Sequence, residues 1–179
     1  MKKIIFLFFM GPVLVFGQAT EYGAFKIVDT EIVYQKIFFQ DSITVGKLAE
    51  FMKSVPEFAN VSVSNDEVTA DLRDLTVDYK KFMFSQVATP PIIQTGRFSG
   101  KVTAEAKDGK YRMTVKSLQM KGDIGYKKIP QPENMTNYAC MNSGTILSRE
   151  WCRPNMLGLL EQAITDKFTY KSSKKDSDW

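Results

Sequence analysis

Residues 101–116 read Lys-Val-Thr-Ala-Glu-Ala-Lys-Asp-Gly-Lys-Tyr-Arg-Met-Thr-Val-Lys, and this stretch decides the fold. Asp108-Gly109 is a two-residue connection whose central positions both accept positive φ, the requirement of a type I′ hairpin turn. Such a turn fixes the register. Lys107 stands opposite Lys110 and Ala106 opposite Tyr111, followed outward by Glu105 with Arg112, Ala104 with Met113, Thr103 with Thr114, Val102 with Val115 and Lys101 with Lys116. Ala106, Tyr111, Ala104, Met113, Val102 and Val115 share one apolar face, and the other face is polar. Two antiparallel strands with one face to bury predict a sheet covered on that side.

Upstream, Glu31 to Phe39 reads as a strand rich in β-branched and aromatic residues on both faces, central in the sheet or covered on both sides. Thr44 is placed to cap a helix over Val45 to Ser54, with Val45, Leu48, Met52 and Val55 on one stripe and Pro56 as its stop. Val61 to Val63 and Val68 to Leu72 read as extended segments about a turn at Asn65-Asp66. The alternation loses phase at Asp74-Leu75, and residues 73–97 have no clear period; Pro90-Pro91 implies a polyproline-like path. Residues 130–151 read as irregular. Pro154 then opens a helix with Met156, Leu159, Leu160, Ala163, Ile164 and Phe168 on one stripe. The order predicts an α+β domain over residues 25–170. It has an antiparallel sheet of about four to five strands, with an N-terminal and a C-terminal helix on one face. Residues 171–179 read as a disordered polar tail.

The N-terminus carries Lys2 and Lys3, the apolar run Ile4 to Phe16, and small residues at Gly17 and Ala19. This is the pattern of a cleavable signal peptide over 1–17, with cleavage after residue 19 as the alternative. It implies a periplasmic or extracellular mature chain of about 160 residues, with no transmembrane segment and no lipid-anchor cysteine at the cleavage site. Losing two lysines takes the formal charge of +4 close to neutral, so the electrostatic case for nucleic acid is weak.

The 179 residues hold no histidine and two cysteines. Histidine-based triads, HExxH zinc chemistry and imidazole proton shuttles are excluded. No metal or cofactor set is legible. Glu67, Asp71, Asp74 and Asp78 lack a calcium-loop spacing and read as solvated surface. Cys140 and Cys152 are expected to form a structural disulfide closing the loop 141–151, worth about 3 kcal/mol in an oxidising compartment; reduced thiols are the alternative. Two stretches are candidate binding surfaces for a protein, glycan or lipid: Tyr79, Phe82, Phe84, Ile92 and Ile93, and the cysteine-held segment with Tyr138 and Trp151.

Three motifs carry a family resemblance: Ser42 to Leu48, Phe98 to Val102, and Lys107 to Val115. With the Phe-Gly-Gln end of the leader, they make residues 30–120 similar to a secreted Bacteroidetes family, domain of unknown function 4468 (DUF4468), with a TATA-binding-protein-like (TBP-like) fold. The resemblance implies a fold and a compartment and transfers no catalytic residues. The resulting expectation is a non-enzymatic binding module of the cell envelope. The contrasting readings are a carboxylate enzyme drawing on Glu67, Asp71 or Asp78, and an envelope assembly component.

Overall fold

The computed structural model describes residues 19–64 and 66–170. The signal peptide expected at 1–17 and the tail expected at 171–179 lie outside the described residues.

Nine β-branched, aromatic and polar residues form β3 (Glu31–Phe39), preceded by the short strands β1 (Glu21–Tyr22) and β2 (Phe25–Val28). Helix α1 (Val45–Ser54) follows, with the Thr44 hydroxyl accepting from the Lys47 amide at 3.3 Å. Then come β4 (Phe58–Ser64), β5 (Glu67–Leu75), the short helix α2 (Pro91–Thr95), β6 (Arg97–Lys107), β7 (Lys110–Asp123) and β8 (Lys128–Asn134). These strands form one antiparallel sheet of eight, in the order β1-β2-β3-β7-β6-β5-β4, with β8 on β7. All seven residue pairs expected across the Asp108-Gly109 turn are present, from Lys107↔Lys110 to Lys101↔Lys116. Asp108 and Gly109 have φ of 50° and 70°, as a type I′ turn requires.

The architecture is α+β as expected, but the sheet has eight strands rather than four to five. Two kinds of strand are missing from the sequence reading. β2 is four residues long, too short to show a period. β8 contains Pro130 and Pro132 in a polar run, a composition tolerated only at a sheet edge, where no ladder partner needs the missing N–H. It pairs with the second half of β7 while β3 pairs with the first. The sheet also starts ahead of residue 25, at Glu21.

Strand β7 is fourteen residues long, and it keeps its apolar side chains on one face by breaking its own alternation. Tyr111, Met113 and Val115 point inward; so do Leu118 and Met120, all buried. The phase change is a β-bulge at Ser117-Leu118, where Ser117 takes φ 50° opposite Gly100. The lost phase at Asp74 has the same cause: the register jumps between Leu72↔Gly100 and Leu75↔Phe98, Asp74 takes φ 48°, and Leu75 returns to the core. Successive bulges curl the sheet. The Phe168 ring lies 5.7 Å from Tyr34 on β3 and 5.4 Å from Phe58 on β4, although strands four places apart in a flat sheet are separated by about 19 Å.

The helices fill the hollow so formed. Leu48, Phe51 and Met52 of α1, Ile92 and Ile93 of α2, and Leu159, Leu160, Ile164 and Phe168 of the C-terminal helix are buried there. The last helix enters through a π turn, Pro154–Gly158, before α4 (Leu159–Phe168); α3 (Thr136–Ala139) and a small ladder of β9 (Cys140–Met141) with β10 (Ile146–Leu147) come before it. Pro90 is extended, as its polyproline reading implies, but Pro91 starts α2, because its missing N–H costs nothing at a first helical position. The outer face of β3 is only half covered: Val33 is buried, whereas Ile37 and Phe39 are 53% and 85% exposed.

Gly100 is fixed by this bulge. A Cβ there would lie 2.6 Å from a Val115 methyl and 3.0 Å from the Lys116 carbonyl. Gly100→Ala is therefore expected to lower unfolding free energy by about 1–3 kcal/mol, read as a lower urea midpoint at unchanged slope. An unchanged midpoint contradicts the close approach.

Candidate functional site

The turn between β2 and β3 is made by Asp29 and Thr30, with φ of 49° and 62°. Neither is glycine, and a β-branched residue at positive φ is strained. Facing this turn is the one between β9 and β10, where Asn142, Ser143 and Gly144 have φ of 49°, 56° and 86°. The two turns meet at Gly144, where a Cβ would sit 2.2 Å from the Thr30 carbonyl oxygen. The Thr136 hydroxyl accepts from the Ile32 amide at 3.2 Å, and the Asn134 side chain accepts from the Thr136 amide at 2.8 Å. These bonds tie α3 to β3.

Between the walls lies a cavity of about 610 Å³, bordered by Asp29, Glu31, Asn134, Thr136, Asn137 and Asn142 among others. Most of its side chains are carboxylates, amides and hydroxyls, with Cys140 and Met141 beside them. Acceptors and donors are mixed, which suits a ligand that both gives and takes hydrogen bonds. Among the described residues no group of three or more His, Cys, Asp or Glu could hold a metal ion.

Cys140 borders this groove, and Cys152 follows β10 by one helical turn, its amide bonded to the Ser148 carbonyl at 3.0 Å. Both are half-buried free thiols, so the expected bridge is not formed in this structure. Burial, with the Cys152 thiolate adding to it, pushes the Cys140 thiol up to about 11. Burial raises Cys152 as well. Neutral thiols of this kind are slow nucleophiles.

The two surfaces expected from sequence are largely core. Ile92 and Ile93 are fully buried, and Tyr79, Phe82 and Phe84 are half-buried against the core. The exposed apolar residues in that stretch are instead Met83 and Val87. An apolar run without a period was the signal for a surface ridge, and packing under the sheet is the reason it fails. Trp151 is buried also. Tyr138 keeps a partly open position: its hydroxyl donates to Glu133, and the Lys127 ammonium donates to the Tyr138 oxygen at 3.0 Å and lies 3.3 Å from Glu133. The Tyr138 bond, then Lys127, holds the Glu133 carboxyl below its ordinary value.

The carboxylates considered for catalysis are not brought together. Glu67 and Asp71 face outward on β5 four residues apart, about 13 Å along a strand, wider than glycosidase carboxylates stand. Hydrogen bonds from Lys101 at 2.6 Å and Asn60 at 2.6 Å hold Asp71 below its usual range. Asp78 accepts from the Lys81 amide at 3.2 Å.

A curled antiparallel sheet around two principal helices, with a polar groove at its loop end, is the class this chain defines. No family model and no curated protein matches it. Among solved structures it is similar to a DUF4468 family protein from Bacteroides ovatus, at 13% identity over 85% of this chain and 94% of that one, with a TM-score of 0.47. It is also similar to a TBP-like protein from Parabacteroides distasonis, at 8% identity over 79% and 93%, with a TM-score of 0.47. The first bears the family, and the second the fold, that the three sequence motifs resemble.

The groove stands on the Gly144 contact. Gly144→Ala is expected to lower stability by about 2 kcal/mol, from the carbonyl clash and the positive φ together, and to shift the amide resonances of residues 29–31. Unmoved resonances contradict the docking of the two turns.

Proposed function

We propose that this chain is a secreted or periplasmic, non-enzymatic binding module of the cell envelope, and that its groove takes a neutral, hydroxyl-rich ligand of the oligosaccharide class. The observation that carries the reading is the groove itself. It encloses about 610 Å³, its lining is mostly polar, and Asp29, Thr30, Asn142 and Ser143 stand on its two walls at positive φ. Strained turns persist where surrounding structure holds them, and they cluster at ligand sites. Sugar hydroxyls both donate and accept, which matches amides, hydroxyls and carboxylates on one surface. The leader pattern at 1–17 supports export, and the absence of histidine from the chain removes the commonest acid–base group from contention. In an oxidising compartment Cys140 and Cys152 would be joined. That bridge would pin the groove-lining strand β9 to the start of the last helix.

The test is titration of the isotope-labelled mature protein with maltohexaose, cellohexaose and chitohexaose, followed by amide shifts. At least one sugar is expected to move residues 29–31 and 134–144 selectively, and Asn137→Ala to weaken it about tenfold through a lost hydrogen bond. No response to any of the three, or shifts confined to other surfaces, overturns the oligosaccharide reading. The intact mass of the same exported protein, alkylated without reductant, reads both the cleavage position and the bridge.

A further inference from the structure

The outer, solvent-facing side of the β6–β7 hairpin sets like charges directly against each other. Lys107 is paired with Lys110, Lys101 with Lys116 and Arg97 with Lys121. Like charges in direct cross-strand register are destabilising, and a sheet face serving solubility alone would interleave signs, as Glu105 and Arg112 do with two bonds of 2.7 and 2.8 Å. The three pairs run the length of the hairpin, about 30 Å from Arg97 to Lys107.

Compensation is partial. Asp71 of β5 takes Lys101 at 2.6 Å, and Asp74 takes Lys121 at 3.1 Å with Arg97 at 3.9 Å. Among the described residues Lys107, Lys110 and Lys116 make no ion pair. A chain that is close to neutral once its leader is removed thus concentrates cations along one ladder.

We propose that this face binds an acidic polysaccharide laid along the hairpin, with carboxylate or sulfate groups on the lysines. Charge complementarity argues for a polyanion, and what lies between the cations selects the class. Ser99, Thr103 and Gln119 occupy the intervening outward positions, offering hydroxyl and amide partners to sugar hydroxyls. Phe39 and Ile37 of β3 stand on the same face opposite Lys110 and Arg112, 85% and 53% exposed, and give the apolar face of a sugar ring a place to lie beside the lysines. The outward positions of β6 and β7 themselves carry no aromatic ring, so successive bases have no row of rings to stack on along the hairpin. This face is separate from the groove and either reading can fail alone, since neutral oligosaccharides report on the groove and polyanions on the hairpin.

The experiment is titration of the mature protein with polygalacturonate, with neutral dextran and single-stranded DNA of matched charge alongside, at about 50 mM salt and upward. Polygalacturonate is expected to bind, to weaken steeply with salt, and to be preferred over DNA. The variant Lys107→Gln/Lys110→Gln/Lys116→Gln should lose at least about tenfold in affinity while its Tm holds or rises, because repulsion is removed. Failure of polygalacturonate to bind, affinity unchanged in the variant, or tighter binding of DNA overturns the proposal.

Discussion

A long strand can keep its apolar residues on one side of a curling sheet only if its alternation is interrupted where the sheet bends. In this protein the interruption is the bulge of Ser117 against Gly100, and much else depends on it. Without the extra residue, Leu118 and Met120 would turn outward and the second half of β7 would present its polar side chains to the helices. With it, fourteen residues serve one core. Gly100 is what permits the close approach, since a side chain there would collide with Val115. The bulges at Asp74 and near Asn60 repeat the device on neighbouring strands.

Curvature then determines what the helices can do. The hollow accepts the buried faces of α1 and α4, and Phe168 bridges the sheet from β3 to β4. Tyr111 fixes the end of α4 by donating its hydroxyl to the Phe168 carbonyl at 2.8 Å and accepting the Tyr170 amide at 2.8 Å. Burial raises the Tyr111 hydroxyl above its ordinary range, so it remains a donor. Lys36 and Tyr34 meet Glu161 and Thr165 across the same seam, at 3.0 Å each. The seam leaves the loops at the other end of β3 free to build a groove, and leaves the outer sheet face open.

The parts of this arrangement governed by local rules were legible in the sequence. Asp108-Gly109 dictated its hairpin to the residue, Thr44 and Pro56 bounded α1, and the alternation of Glu31 to Phe39 set a central strand. The loss of phase at Asp74 was visible too, but a bulge and a strand end look alike without the partner strand. The groove was not legible. Its first wall turns on Asp29-Thr30, and threonine is a poor residue for positive φ, so the pair gives no turn signal; tertiary contact with Gly144 holds it there. Cys140 and Cys152 could be paired on paper, but nothing in their spacing told that Cys140 borders a polar cavity. Lys107 against Lys110 and Lys101 against Lys116 were readable from the turn alone, whereas Arg97 against Lys121 depends on the bulge, and Asp71 and Asp74, which moderate the charge, come from a strand whose pairing only the fold supplies.

One bulged hairpin is the rigid frame on which both polar surfaces are held. Native-state hydrogen exchange of the mature protein tests it most directly. The amides of Val102, Ala104, Met113 and Val115 are expected to exchange only through global unfolding, and Gly100→Ala to speed their exchange together with that of the strained turn at Asp29-Thr30. If these hairpin amides exchange through local openings while α1 or α4 stays protected, the helices rather than the hairpin are the frame.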